Sequence, residues 1–84
     1  MNREKLKRLV QQEANMAQQQ PYEFRVSQDY PDVREEEFEQ EVATVEIVLL
    51  ELTDDYVQID ISASSSGCSA FFPVGQVVVI RKHP

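Results

Sequence analysis

The feature that most constrains the fold is the stretch of residues 42–61, where two apolar runs flank the pair Asp54-Asp55. The second run alternates strictly between β-branched and polar residues, with Val57, Ile59 and Ile61 as the β-branched ones. A period of two with β-branched side chains is typical of a half-buried β-strand, and aspartates favour turns. The sequence therefore predicts a β-hairpin with Asp54 and Asp55 as its two loop residues.

The two-residue loop also predicts which residues pair across the hairpin. Thr53 then faces Tyr56, and the apolar pairs are Leu52 with Val57, Leu50 with Ile59, and Val48 with Ile61. These six apolar side chains lie on one face of the hairpin, and a slip of one residue would move them apart. This register places the core on that face.

Three apolar residues of the first strand, Val45, Ile47 and Leu49, fall on the opposite face in this register. An antiparallel sheet with one face in water normally alternates cleanly between apolar and polar residues, so we expect something to cover them. One helix can cover only one face of a four-stranded sheet. The sequence therefore predicts self-association through Val45, Ile47 and Leu49, with a dimer as the favoured homo-oligomer. The alternative is that loops and nearby phenylalanines close this face within one chain.

The remaining elements follow from helical periodicity and from alternation. Residues 3–20 carry apolar side chains at a spacing of three to four, with Asn2 as the N-cap and Pro21 as a stop, and are predicted to form a helix. Strands are predicted at about 22–27, 39–52, 56–63 and 76–82, with residues 29–37 as a loop. The expected fold class is α+β, with the N-terminal helix packed on a mostly antiparallel sheet of about four strands. We expect residues 1–84 to form one small domain.

The negative charge is concentrated in the middle of the chain. The net charge is −7, yet residues 21–60 alone carry thirteen carboxylates against two arginines, a balance of −11. Such a field repels the phosphates of a nucleic acid and attracts basic surfaces. We therefore expect a basic protein partner and no direct binding of nucleic acid.

Apolar runs and cysteine content bear on the cellular location. The longest apolar runs fall well short of the roughly 18 residues that a membrane span needs, and the basic N-terminus is not followed by the apolar stretch of a signal peptide. Cys68 is the single cysteine, so the chain cannot form an internal disulfide. A reducing compartment fits this composition. We expect a cytoplasmic protein that does not bind membranes.

The densest acidic run is the candidate partner-binding site, and it consists of Glu35, Glu36, Glu37, Glu39 and Glu41. Carboxylates on one side of a strand recur about every 6.6–6.8 Å, which is comparable to two phosphate steps of about 3.4 Å along a nucleic-acid strand. The run could therefore inhibit a nucleic-acid-binding protein by mimicking the phosphate backbone. It could also serve only to keep the domain in solution and to protect a sheet edge.

Catalytic and metal chemistry have little support in the sequence. A nucleophilic Cys68 would need a positioned base, and the only histidine is His83, near the end of the chain. The spacing of Asp29, Asp32 and Glu35 lacks the glycine turn of a typical calcium loop. We therefore expect no catalytic residues, no metal and no cofactor.

The favoured hypothesis is a small acidic, non-enzymatic interaction module that self-associates and docks a basic partner. Phosphate-backbone mimicry is the first alternative to this hypothesis. The second alternative is a small enzyme or ligand-binding subunit, whose site forms between protomers near the loop that runs from Ser64 to Cys68.

Overall fold

The computed structural model describes residues 2–65 and 73–83. Two helices precede four strands along the chain: α1 (Arg3–Gln18), α2 (Tyr22–Val26), β1 (Asp32–Phe38), β2 (Glu41–Leu52), β3 (Tyr56–Ser64) and β4 (Val74–Arg81). The strands form one antiparallel sheet in the order β1-β2-β3-β4, and α1 packs on β3 and β4. The predicted α+β fold, with an N-terminal helix on a four-stranded antiparallel sheet, is confirmed.

Helix α1 begins and packs as its periodicity predicts. The side chain of Asn2 accepts a hydrogen bond from the backbone N–H of Lys5 at 2.8 Å, which satisfies one of the free donors of the first turn. The apolar side chains of α1 that are buried against the sheet are Leu6, Leu9, Val10, Ala14 and Ala17. The helix ends at Gln18, two residues before the predicted end.

The predicted strand at 22–27 is wrong, because this segment is the short helix α2. Pro21 stands at its N-cap, and the backbone N–H of Phe24 donates to the Pro21 carbonyl. Tyr22 is half-buried and Arg25 is buried, while Phe24 is exposed. Inward positions three residues apart follow the helical period, and the alternation in a segment this short does not distinguish a strand from one turn of helix.

Strand β1 occupies most of the segment predicted to be a loop. It pairs along its whole length with β2, from Asp32 opposite Ile47 to Phe38 opposite Glu41. Asp and Glu are depleted in strands in general, so the intrinsic preference of this acidic run argues against a strand. The pairing with β2 overrides that preference.

The turn between β1 and β2 consists of Glu39 and Gln40, which have φ values of 49° and 71°. Positive φ at both central residues is the geometry of a type I′ hairpin, which normally selects Asn-Gly. The predicted strand start at residue 39 is therefore wrong, and β2 begins at Glu41.

The turn between β2 and β3 is confirmed. The backbone N–H of Thr53 donates to the Tyr56 carbonyl at 2.9 Å, and the Thr53 hydroxyl accepts from the backbone N–H groups of Asp55 and Tyr56, both at 3.1 Å. Leu52 pairs with Val57 as predicted. Asp54 and Asp55 are thus the two loop residues.

Beyond that turn the predicted register is wrong, because a β-bulge lies between Leu49 and Glu51. The observed pairs are Leu49 with Ile59, Ile47 with Ile61 and Val45 with Ala63, in place of Leu50 with Ile59 and Val48 with Ile61. One extra residue in a strand reverses the face of every side chain beyond it. The bulge therefore turns Val45 and Ile47 toward α1.

The predicted self-association surface is corrected by this reversal. Val45 is 0% exposed and Ile47 is 1% exposed, so both belong to the core of the single chain. Leu49 shares their face through its pairing with Ile59 and remains 36% exposed. Val45 and Ile47 lie in one core with the apolar residues of α1, so they are not available to a second molecule.

Candidate functional site

The sheet face opposite α1 is a candidate interaction surface, because no element within residues 2–65 and 73–83 packs against it. We call it the open face. Its residues follow from the register, since directly paired residues share a face and neighbours along a strand alternate. It comprises Val33, Glu35, Glu37, Val42, Thr44, Glu46, Val48, Glu51, Tyr56, Gln58, Asp60, Ser62, Ser64, Gly75, Val77, Val79 and Arg81.

The open face combines negative charge with exposed apolar side chains. Its carboxylates are Glu35, Glu37, Glu46, Glu51 and Asp60, and Arg81 is the one cation among its described residues. Val33, Val42 and Val77 are each more than half exposed, at 55%, 56% and 51%. Their mixture with carboxylates is suited to a partner that is basic and partly apolar.

One carboxylate of the open face is fixed by an aromatic hydroxyl. The Tyr56 hydroxyl donates a hydrogen bond to Glu51 Oε1. This hydrogen bond, together with partial burial and the negative charge of Glu51, raises the pKa of Tyr56. The pair lies where β2 approaches its turn into β3.

The predicted acidic site, Glu35, Glu36, Glu37, Glu39 and Glu41, does not form one row. Glu35 and Glu37 lie on the open face, opposite Thr44 and Val42 of β2. Glu36 lies on the face that α1 covers, since it pairs with the buried Ala43. Glu39 belongs to the turn, and Glu41 begins the next strand. The run is therefore divided among three environments.

The turn carboxylates are held by the basic residues at the start of α1. Arg8 donates to both carboxylate oxygens of Glu39, at 2.8 and 3.2 Å. Lys5 Nζ lies 2.7 Å from Glu41 Oε2 and donates to the Glu39 carbonyl at 2.8 Å. Hydrogen bonds from Arg8 and Lys5 lower the pKa of Glu39 and of Glu41, respectively. This internal pairing gives Lys5 a partner in the first turn, where the helix dipole disfavours a cation, and it removes Glu39 and Glu41 from the candidate surface.

A second acidic group lies between α1 and β1. Arg34 Nη2 contacts Glu13 Oε2 at 3.0 Å, and the guanidinium lies 3.6 Å from Asp32 and 3.7 Å from Glu36. Glu13 is buried, with 4% of its surface exposed. Sequence reasoning did not single out Glu13, although a glutamate within the apolar stripe of α1 is a detectable signal.

Within this group the pKa of Glu36 is raised to about 7. The main cause is the hydrogen bond that protonated Glu36 makes to Glu13, followed by burial and the negative charge of Glu13. Glu36 Oε2 is buried without a hydrogen-bond donor, and two carboxylates can satisfy each other only when one is protonated. Such pKa values also occur at catalytic sites. Here Glu13 and burial raise the pKa of Glu36, while the positive charge of Arg34 opposes that rise.

The described part of the chain has a cleft of about 520 Å³ at the other end of α1, lined by residues 18–23 and 79–82. Lys82 Nζ lies 5.7 Å from the centre of the Tyr22 ring there, and the Gln18 side chain donates to the Val79 carbonyl at 3.3 Å. None of the site residues predicted from the sequence lines this cleft.

The part of the chain that the structure describes contains neither a metal-binding cluster nor a membrane-spanning helix. No group of three or more His, Cys, Asp and Glu side chains there is arranged to hold a metal ion. No helix there is both long enough and apolar enough to cross a membrane. Cys68 lies outside the described residues, as does most of the loop from Ser64 to Cys68, so the alternative of a site between protomers at that loop stays a prediction.

Comparison with known proteins adds no further constraint, because no protein-family model matches the chain and no curated protein or solved structure is significantly similar to it.

Proposed function

We propose that this protein is a non-enzymatic interaction module whose open face docks a basic protein partner. The observation that carries the proposal is a sheet face on which exposed valines alternate with carboxylates and which no described element covers. Complementary charge would guide the encounter and select the partner. Burial of the exposed valines would supply affinity, at about 25 cal/mol for each Å² of apolar surface.

The fitting partner is a segment that carries lysine or arginine beside apolar side chains. Val33 lies directly opposite Glu46, and Val77 lies directly opposite Asp60. An apolar anchor and an acidic acceptor are thus adjacent at two separate places on the surface. A purely cationic ligand would use the carboxylates and leave these valines exposed, so an amphipathic basic segment is the better fit.

Mimicry of a phosphate backbone has less support than docking of this kind. It requires a long row of carboxylates, but only Glu35 and Glu37 remain at strand spacing on the open face, while Glu39 and Glu41 pair with Arg8 and Lys5. The proposal retains a cytoplasmic location, because a chain with Cys68 as its single cysteine has no internal disulfide to form.

The test is capture of partners from native cells by the tagged protein, followed by affinity measurement with the purified partner. The open-face variant is Glu35→Lys with Glu37→Lys, and the matched control is Glu23→Lys with Asp29→Lys, which changes the net charge equally on exposed residues outside the open face. We expect the control to retain the partner and the open-face variant to lose it. Wild-type binding should weaken steeply as salt rises.

Two results would contradict the proposal. One is equal binding of the partner by both variants, which would mean that the open face does not select it. The other is binding that high salt leaves unchanged, because a surface rich in carboxylates would then contribute little to affinity.

A further inference from the structure

The two edges of the sheet differ sharply in charge. Five of the seven residues of β1 are charged, namely Asp32, Arg34, Glu35, Glu36 and Glu37. Strand β4 has no charged residue from Val74 to Ile80 and reaches its first charge at Arg81. Proteins commonly protect an edge strand from unwanted pairing with charged side chains. The β1 edge is protected by charged side chains, and residues 74–80 of the β4 edge are not.

The hydrogen-bond pattern shows which backbone groups of β4 point away from the sheet. The backbone N–H of Lys82 donates to the Asp55 carbonyl at 2.8 Å, so Lys82 faces β3. Backbone groups of an edge strand alternate between the neighbouring strand and the outside. The outward-pointing set is therefore Gly75, Val77, Val79 and Arg81. The Val79 carbonyl accepts a bond from the Gln18 side chain, which agrees with this orientation.

We propose that a second copy of this chain pairs with this edge, β4 antiparallel to β4, so that two sheets of four strands join into one sheet of eight. This surface is separate from the docking surface proposed above, and either can fail without the other. A two-fold axis perpendicular to the sheet would relate the copies. Both open faces would then lie on the same side of the joined sheet.

One register uses all the outward-pointing backbone groups, with the Val79 carbonyl exchanging its bond from the Gln18 side chain for one from the Val77 N–H of the second copy. In this register Gly75 of one copy pairs with Arg81 of the other, and Val77 of one copy pairs with Val79 of the other. The two-fold symmetry makes each of these pairs occur twice. A shift of two residues one way brings Pro73 opposite Arg81, and proline has no N–H to donate. A shift the other way leaves Gly75 opposite residue 83, beyond the end of β4. The register with Gly75 opposite Arg81 is therefore favoured.

This register also provides a charge contact between the copies. Asp60 Oδ1 leans over Gly75 and lies 3.5 Å from the position that a Cβ would occupy there. Arg81 of the second copy would stand beside that position, within reach of the Asp60 carboxylate. Within one chain, Asp60 pairs with Val77, so Asp60 and its own Arg81 lie four residues apart along the strands, at about 13 Å. The pair can form only between copies.

A cleft beside α1 adjoins the C-terminal half of the β4 edge. Its lining includes residues 79–82 of the edge and Gln18 at the end of α1. In the proposed register, Gln76 of the second copy stands opposite Ile80, on the side of the sheet that faces this cleft. The Gln76 side chain of the second copy would therefore enter the cleft that Gln18, at the end of α1, also lines.

The first experiment is sedimentation equilibrium on the wild type and on two lysine variants. Val77→Lys combined with Val79→Lys puts two charges on the β4 edge, and Val33→Lys puts one on the β1 edge at a residue of nearly equal exposure, 55% against 51% for Val77. We expect a dimer for the wild type and for Val33→Lys, and a monomer for the double variant. A wild type that stays monomeric up to about 1 mM, or a double variant that stays dimeric, would overturn the proposal.

Hydrogen exchange of the wild type covers the case in which the double variant fails to fold. The backbone N–H groups of Gly75, Val77, Val79 and Arg81 should become protected as protein concentration rises, while those of β1 should not. Protection that does not depend on concentration would contradict pairing at this edge.

A charge swap tests the register. Asp60→Arg and Arg81→Asp should each weaken the dimer about tenfold, and the two together should restore most of the affinity. Failure of the double swap to restore the dimer would reject the register in which Gly75 faces Arg81.

Discussion

The two faces of the sheet are built from the same strands, yet they have opposite character. The covered face presents Val57, Ile59 and Ile61 of β3 to α1, and all three are fully buried. The open face presents Gln58, Asp60 and Ser62 from the same strand. On β2 the bulge at residues 49–51 decides which apolar residues fall on which face. The comparison teaches that the core of this protein depends on register as much as on composition.

The largest expected effect breaks the covered face. Ile59→Ala should lower the free energy of unfolding by about 2–4 kcal/mol, because it removes a fully buried side chain and leaves a cavity beneath α1. The matched substitution on the open face, Val77→Ala, should change it by less than about 0.5 kcal/mol. Urea unfolding of both variants measures the difference. Equal losses would mean that another molecule already covers the open face under the conditions of the experiment.

A second prediction concerns how the stability of the protein depends on pH through Glu36, a carboxylate of the covered face. Glu36 faces α1, and its pKa is raised to about 7 from an ordinary value of 4.5. The folded state therefore binds a proton more tightly than the unfolded state does, so this group's contribution to stability is complete below pH 4.5 and is lost as the pH rises to about 7. The variant Glu36→Gln, which can still donate a hydrogen bond to Glu13, should remove this decline.

Denaturant unfolding between pH 4.5 and pH 8 measures that difference between the wild type and Glu36→Gln. Glu35→Gln is the matched control, since its side chain lies on the open face, and it should keep the wild-type decline. A Glu36→Gln profile parallel to that of the wild type would show that Glu36 does not share a proton with Glu13.

The smallest expected effect concerns Glu39 and Gln40, the turn that joins β1 to β2. Gln40 has a φ of 71° without being glycine, which costs free energy in the folded state. Gln40→Gly should relieve that cost and raise the free energy of unfolding by about 1 kcal/mol. Gln40→Ala keeps the positive φ with a Cβ present and should give no gain. A thermal melt of the two variants decides, and an equal gain in both would attribute the effect to the side chain of Gln40.

Much of the fold could be predicted from the residues themselves. The apolar spacing along α1, the Asn2 cap and the strict alternation of β3 each indicate their element locally, and Asp54 and Asp55 mark the central turn. The observed helix, strand β3 and central turn agree with these predictions, although the pairing beyond the turn does not. Strand β1 could not be predicted in this way, because a run of glutamates has no local preference for a strand. Its conformation comes from pairing with β2.

The candidate site was only partly predictable for the same reason. The sequence indicated an acidic interaction surface, and Glu35 and Glu37 lie on the open face. Glu39 and Glu41 are instead bound by cations from a helix more than thirty residues earlier in the chain. Such long-range pairing leaves no periodic signal in a single sequence.

The class of the fold, the helix, the central turn and the overall acidity follow from the sequence, because each depends on local periodicity, turn chemistry or composition. The buried face of β2 and the set of carboxylates that remain exposed depend instead on how the chain packs. The bulge at Leu50 adds one residue to β2 and so reverses which of its side chains are buried. Cations of α1 bind Glu39 and Glu41, and Glu36 lies beside Glu13 of the same helix. These outcomes depend on contacts between distant segments, and such contacts exist only once the chain has folded.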